Sequence, residues 1–301
     1  MSQIIQRNLT SVVILLSIAF GFLLPEVGKL WKPYLSYLLM LLMFLVTLTM
    51  EPKEIAQSLK NYPVIAVGLF SVFVLTPLLS LIGKPFLSTT AFAGTVLAFS
   101  APSAIATAFW AKAFKGDTAT GIVLSAVTNL LSIITIPVTM LVVIGTAVNI
   151  DTTWMIINLA ELILIPMTAS FLIKKAAKVN AEKLSGYSSR IELTILVLLI
   201  WGSIAPAATY AEENIAEFAQ LNIIMFTALS IAFVMAYYLT KRFGSKQAIT
   251  VAIATSVKNA ALSLVIGITM FGPIILPPII ANLIAQNLLL VPAKMILKND
   301  R

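Results

Sequence analysis

The sequence predicts an all-α membrane protein with ten transmembrane helices, and three observations carry that prediction. Apolar runs cover the whole length, the basic residues fall almost entirely on alternate connectors, and an internal repeat interrupts two of the runs in the same way. Of 301 residues, 59% are hydrophobic and only 11% charged. At ~20 residues per span, the runs divide into ten, centred near residues 15, 42, 72, 102, 132, 164, 200, 229, 258 and 285.

Each element follows from its flanks. The first run, residues 9–24, has a short basic flank like that of a signal peptide. No small-residue cleavage site follows and further spans come at once, so it is read as a retained helix. Polar connectors then fall at residues 51–61, between spans 2 and 3, and at 115–117, between spans 4 and 5. Others lie at 151–153, across KKAAKVNAEKLSGYSSR at 174–190, at 212–217 and at 241–246. None is long enough to be a soluble domain. The chain therefore divides into residues 1–147 and 148–301, with five spans each.

Lys and Arg fix the expected orientation. One side of the ten spans holds 16 of them and the other holds Lys29, Lys32 and Lys84, while Lys258 is left inside span 9. Such a bias places both termini in the cytoplasm and supports an even number of spans. Topology also accounts for the net charge of +8, so the basic balance gives no case for nucleic acid. With no cysteine and no histidine, the chain has no disulfide, no thiolate ligand or nucleophile, and no histidine proton shuttle.

The repeat relates SAPSAIATAFWAKAFKG at 100–116 to SVKNAALSLVIGITMFG at 256–272, an offset of 156 residues. Ser100 falls on Ser256, Ala104 on Ala260, Thr107 on Ser263 and Gly116 on Gly272. An odd number of spans in each half makes the halves opposite in membrane orientation, which is an inverted repeat. Spans 4 and 9 are each expected to break near the middle, into 90–101 and 103–114 and into 246–257 and 259–271. Half-helices of about 12 residues reach ~18 Å, so the two breaks meet near the midplane of a ~30 Å core. Non-helical backbone at that depth is tolerated only inside protein or beside water, and paired interrupted helices point to a transporter site.

Pro102 cannot donate a backbone hydrogen bond and pushes Ala101 out of the helical region. Ser103 is expected to cap the half-helix that follows, and Asn259 to do the same in the second half. The amino ends of these half-helices suit an oxyanion, whereas the free carbonyls expected at Ala101 and Val257 suit a cation. On span 5, spacings of three and four put Ser125, Thr128, Asn129 and Ser132 on one face. These residues either line a binding site with Thr107 or bond packed helices together. Asn282, Gln286 and Asn287 on span 10 allow the same two readings.

The ten-span layout, the run APSAIATAFWAKAFKGD with its Lys-Gly-Asp turn, and SVKNAALS resemble the bile acid:sodium symporter family, in the wider group that includes arsenite-efflux permeases. The resemblance covers essentially the whole chain. It implies a panel domain of spans 1, 2, 6 and 7 facing a core domain of spans 3, 4, 5, 8, 9 and 10. Spans 4 and 9 would cross at their breaks, with the substrate cavity between the domains. It also implies secondary transport of a small organic anion by alternating access in the plasma (inner) membrane. Transport in that family is often driven by sodium held by the crossover and span 5, here near Thr107, Ser125, Thr128 and Asn259.

The carry-over is partial. Sodium-coupled members have a glutamate just before the break of span 9 and a Gln-Asn pair at it. Here Asn259 keeps the Asn, Lys258 stands at the Gln position, and the glutamate position reads Ala254. The Lys258 ammonium is expected to replace a bound ion and to satisfy the carbonyls of 254–257. It acts either as a constant stand-in for sodium or as a group that loads and releases a proton, and the bland alternative is a structural lysine. No prosthetic group is expected, and the coupling ion is Na⁺, H⁺ or none. Glu161 on span 6 is expected either at the cavity, touching substrate or pairing with Lys258, or at the outer interface.

Rival classes lack their residues. A metalloid permease would carry a cysteine after the Ala-Pro pair, where this chain has Ser103. A membrane enzyme would need a nucleophile and base or a metal cage, and neither H-E-x-x-H nor G-x-S-x-G occurs. A cation channel is opposed by a lysine at the break.

Overall fold

The computed structural model describes residues 3–50, 61–145, 151–177 and 181–298, and among them it is all helical. The boundary expected at 147/148 and most of the 51–61 connector, with Lys53 and Lys60, lie outside the described residues, as do Lys178 and Arg301.

The first half comprises α1 (Gln3–Leu23), the short α2 (Pro25–Lys29), α3 (Leu35–Thr49), α4 (Tyr62–Gly83), α5 (Thr89–Ser100), α6 (Thr107–Ala113) and α7 (Thr118–Ile144). The second half comprises α8 (Thr152–Ala177), α9 (Ala181–Ile204), α10 (Ala208–Glu213), α11 (Ile215–Lys241), α12 (Ser245–Ser256), α13 (Ala260–Phe271) and α14 (Leu276–Lys298). Among the described residues, seven helical segments are long and apolar enough to cross a membrane. Three shorter apolar helices, Val12–Leu23, Thr89–Ser100 and Ala260–Phe271, fall where spans 1, 4 and 9 are expected.

Polarity is arranged for a lipid solvent. Large apolar side chains such as Phe70, Ile134, Val142, Leu172, Ile223 and Val291 are exposed on the outside, while Thr107, Ser125, Thr128, Asn129, Lys258 and Asn259 are buried. Where no water reaches, hydroxyls bond back to their own helix: Thr95 donates to the Ala91 carbonyl, Thr255 to Val251 and Ser256 to Ala252. That pattern satisfies the side chain without breaking the helix.

Two sets of neighbours stand out in the packing, and α7 also lies against α8. In one, α3 lies against α8 and α9, and α9 against α1. In the other, α11 lies against α12 and α14, and α7 against α5, α6 and α12. Close approach within the second group depends on small residues. A Cβ on Gly121 of α7 would stand 3.0 Å from the Ala108 backbone, and one on Gly94 of α5 would stand 2.5 Å from the Ile275 carbonyl.

Both expected breaks occur, but the first differs in detail. Ala101 is extended (φ −56°, ψ 147°), as a residue before proline must be. The following helix starts only at Thr107, four residues later than expected, with Ala106 rather than Ser103 at its cap position. The groups of Ser103 that would cap a helix are committed elsewhere. In the second break Asn259 does cap α13, its Oδ1 accepting from the Leu262 N–H at 3.2 Å.

Candidate functional site

Where the two broken rods cross, Ser103 and Lys258 form an antiparallel β-bridge. The Ala104 N–H donates to the Val257 carbonyl at 2.8 Å, and the Asn259 N–H to the Pro102 carbonyl at 2.8 Å. These bonds flank the bridge, so the backbone groups of Ser103 and Lys258 point outward to other partners. The Ser103 N–H donates to Thr128 Oγ1 at 3.1 Å, and its carbonyl accepts from Asn129 Nδ2 at 3.1 Å. The Lys258 N–H donates to Gln286 Oε1 at 2.8 Å, and its carbonyl accepts from the Ala260 N–H at 2.9 Å. Each long helix that follows a break thus supplies a side-chain acceptor to the N–H of the bridging residue, Thr128 from α7 and Gln286 from α14. Buried backbone groups must be paired, and here the pairing joins the two halves of the chain. The Val257 carbonyl, expected to be free for a cation, is spent in this bridge.

Side chains extend the network. Asn259 Nδ2 donates to Asn129 Oδ1 at 2.8 Å, and Asn129 Nδ2 also donates to the Ser125 carbonyl at 2.8 Å. Ser103 Oγ and Thr107 Oγ1 are 2.7 Å apart, and Thr107 Oγ1 donates to the Ala104 carbonyl. The expected residues Pro102, Ser103, Thr107, Thr128, Asn129, Lys258 and Asn259 therefore meet at one place. Ser132 and Asn287, in contrast, bond to carbonyls of their own helices. No group of three or more His, Cys, Asp or Glu able to hold a metal occurs among the described residues.

Lys258 is 1% exposed, and its ammonium takes a direction the sequence reading did not anticipate. Instead of turning to the carbonyls of 254–257, Nζ donates to Thr76 Oγ1 at 2.7 Å and to the Val72 carbonyl at 3.2 Å. That receptor is built by a defect in α4. Residues Ser71–Leu75 form a π-helical turn, in which the Thr76 N–H bonds to the Ser71 carbonyl. The Val72 carbonyl thereby loses its usual i+4 donor, and the next candidate, residue 77, is a proline with no N–H. Thr76 Oγ1, within reach of the carbonyls of Val72 at 2.7 Å and Phe99 at 3.0 Å, and the Lys258 ammonium fill the gap. The Thr-Pro pair at 76–77 was the available sequence signal for this receptor. Ser71, in the same turn, is fully buried with its hydroxyl unpartnered.

Beside the crossover lies a cavity of ≈ 20 Å³, lined by Met43 and Thr47 of α3, by Met50 just after it, by Ile105, by Ser125 and Asn129 of α7, and by Met167 of α8. It has room for about one water molecule. Ser125 Oγ is buried with no partner, which leaves that hydroxyl available beside the cavity. Glu161 does not belong to this site. It is exposed on the face of α8 opposite the buried Leu159 and Ile163, and no hydrogen bond or ion pair joins it to Lys258.

A third cluster pins the far ends of the broken helices. Lys115 adopts φ 61°, and the Asp117 N–H reaches Thr250 Oγ1 at 2.8 Å and the Lys246 carbonyl at 3.2 Å. A Cβ on Gly116 would stand 2.5 Å from Thr250 Oγ1, which explains the glycine in the Lys-Gly-Asp turn.

The chain is similar to a probable chloroplastic sodium/metabolite cotransporter, BASS3, of Arabidopsis thaliana, with 23% identity over 228 residues. The match takes in 74% of this chain and 52% of that protein, so the chain spans about half the length of its relative. The model of one transporter family matches residues 9–291, which contain both breaks and every residue of the crossover. On that match, and with apolar helices enough for a multi-pass membrane protein, the chain belongs to the SBF-like CPA transporter family.

Proposed function

We propose that the protein is a secondary carrier of a small organic anion that works by alternating access, with the Lys258 ammonium in place of one coupling cation. The observation that carries this reading is the crossover itself. Two interrupted helices from opposite halves are joined by a backbone bridge, and a buried lysine lies at the join. On this reading ten spans form two inverted five-span repeats, residues 1–147 and 148–301, in the plasma (inner) membrane with both termini cytoplasmic. The group of α1, α3, α8 and α9 is the panel, and the group built on α4 to α7 and α11 to α14 is the core. Substrate enters where the small cavity lies between them, touching Ser125 and Asn129.

Electrostatics favour an anion. The crossover network has one formal charge, the ammonium, and its other members are neutral. In a water-poor interior that single charge acts at long range. The same balance disfavours sodium, because the carboxylate of sodium-coupled relatives is replaced by Ala254 and the network has no other. A second reading makes Lys258 a proton carrier, and it is favoured by the ammonium's partners, both neutral oxygens on α4.

The test needs no substrate. Purified protein is titrated with Na⁺ against K⁺ at constant ionic strength and several pH values while thermal stability is followed, since a bound ion raises apparent stability by mass action. The expected outcome is no Na⁺-specific shift. A saturable Na⁺ shift would overturn the stand-in role and return the chain to sodium symport. Stability that depends on pH in the wild type but not in Lys258→Gln selects the proton carrier.

A further inference from the structure

Between α4 and α11 the outer surface opens into a groove of ≈ 480 Å³, lined by Ala66, Val67, Phe70, Tyr238, Leu239 and Arg242. It takes no part in the crossover. Phe70, Tyr238 and Leu239 are exposed, and Arg242 lies at the rim as the first residue after α11. Phe70 lies eight residues into α4 from Tyr62, which puts it ~12 Å deeper along the axis. The groove thus has a cationic mouth and an apolar floor.

Arg242 has no carboxylate or hydrogen-bond partner among the described residues. Its guanidinium carbon stands 4.7 Å from the centre of the Phe243 ring, which holds the group at the surface without neutralising it. Lys241 next to it lies 5.4 Å from the ring centre of Tyr237 and 5.8 Å from that of Tyr238, so positive charge and aromatic surface are concentrated at this rim.

We propose that the groove binds one anionic phospholipid of the cytoplasmic leaflet. The Arg242 guanidinium and the Tyr238 hydroxyl take the phosphate, and one acyl chain lies along Ala66, Val67, Phe70 and Leu239. A planar guanidinium matches phosphate oxygens in a bidentate way, and basic grooves between membrane helices on the cytoplasmic side suit anionic headgroups. The leaflet rests on the orientation proposed above, but the binding itself does not.

Native mass spectrometry of the full chain in detergent tests this, titrating phosphatidylglycerol and phosphatidylcholine with the same dioleoyl chains. One phosphatidylglycerol should be retained about fivefold more tightly than phosphatidylcholine, the effect of one basic contact. Arg242→Gln should remove the preference, Lys246→Gln should keep it, and Ala66→Trp, which fills the floor, should weaken both lipids. Equal retention of the two lipids by the wild type, or a preference that survives Arg242→Gln, overturns the proposal. So does full competition by inorganic phosphate, which would mean that no acyl chain contributes, or a dimer that excludes the lipid. The assay involves neither transport nor Lys258, so its failure would leave the carrier reading untouched.

Discussion

An ammonium at the bilayer centre costs about 2.5–3.5 kcal/mol on insertion scales, and Lys258 offsets this with a receptor that exists only because α4 is faulty. The π-turn at Ser71–Leu75 and the missing N–H of Pro77 leave the Val72 carbonyl in need of a donor, and Thr76 offers a second oxygen beside it. Two predictions belong to this scale. Lys258→Gln keeps an N–H for Val72 but removes the fixed charge, so transport should be lost or become sodium-dependent in proteoliposomes. Unchanged, ion-independent uptake would sink the stand-in role. Thr76→Val removes the acceptor for the ammonium and the hydroxyl proton that Val72 and Phe99 share. Leaving buried polar groups unpaired costs about 1–3 kcal/mol, so the melting temperature should fall by several degrees, and Thr76→Ser should restore it.

The two broken rods are unequal, and the inequality has a local cause. Asn259 reaches the Leu262 N–H and starts α13 at once, whereas Ser103 gives its N–H to Thr128 and its hydroxyl to Thr107, so α6 starts late and has seven residues. Asn259→Ala should therefore cost about 0.5–2 kcal/mol through the cap alone, together with the bond to Asn129. Asn259→Ser should recover the cap part and leave the Asn129 part missing, and thermal melts of the two variants separate these contributions. An equal loss in both would mean that the cap contributes nothing. This contrast also marks what the sequence could reveal. Pro102 and Asn259 act on their own neighbours, so the breaks were legible from residue type and from the 156-residue repeat. The late start of α6 depends on Thr128, 25 residues away, and the receptor for Lys258 lies 182 residues away at Thr76. Pairings at such distances leave no local pattern, and the role of Gln286 was hidden for the same reason. Glu161 was left open between cavity and outer interface because depth along a helix is readable from spacing, but which way its face turns depends on the neighbours.

At the scale of the whole molecule, the expected ten spans rest on hydropathy together with charge. Among the described residues seven helices satisfy length and apolarity by themselves, and the broken pair does not, because each half is only 12 residues or fewer. The bridge at the crossover and the clamp of Asp117 on Thr250 and Lys246 are two of the ties between the halves of the chain, beside the Asn259–Asn129 and Lys258–Thr76 bonds, so α6 and α12 are held at both ends. The orientation proposed for the chain comes from its basic residues, and the absence of native cysteine makes it directly measurable. In intact cells, Lys84→Cys should react with a membrane-impermeant maleimide, while Lys112→Cys and Lys246→Cys should react only after permeabilisation. If the pattern were reversed, the proposed orientation would be overturned. If Lys84→Cys and Lys246→Cys were labelled from the same side, the two halves would no longer be inverted, and the crossover would have to be explained without a repeat.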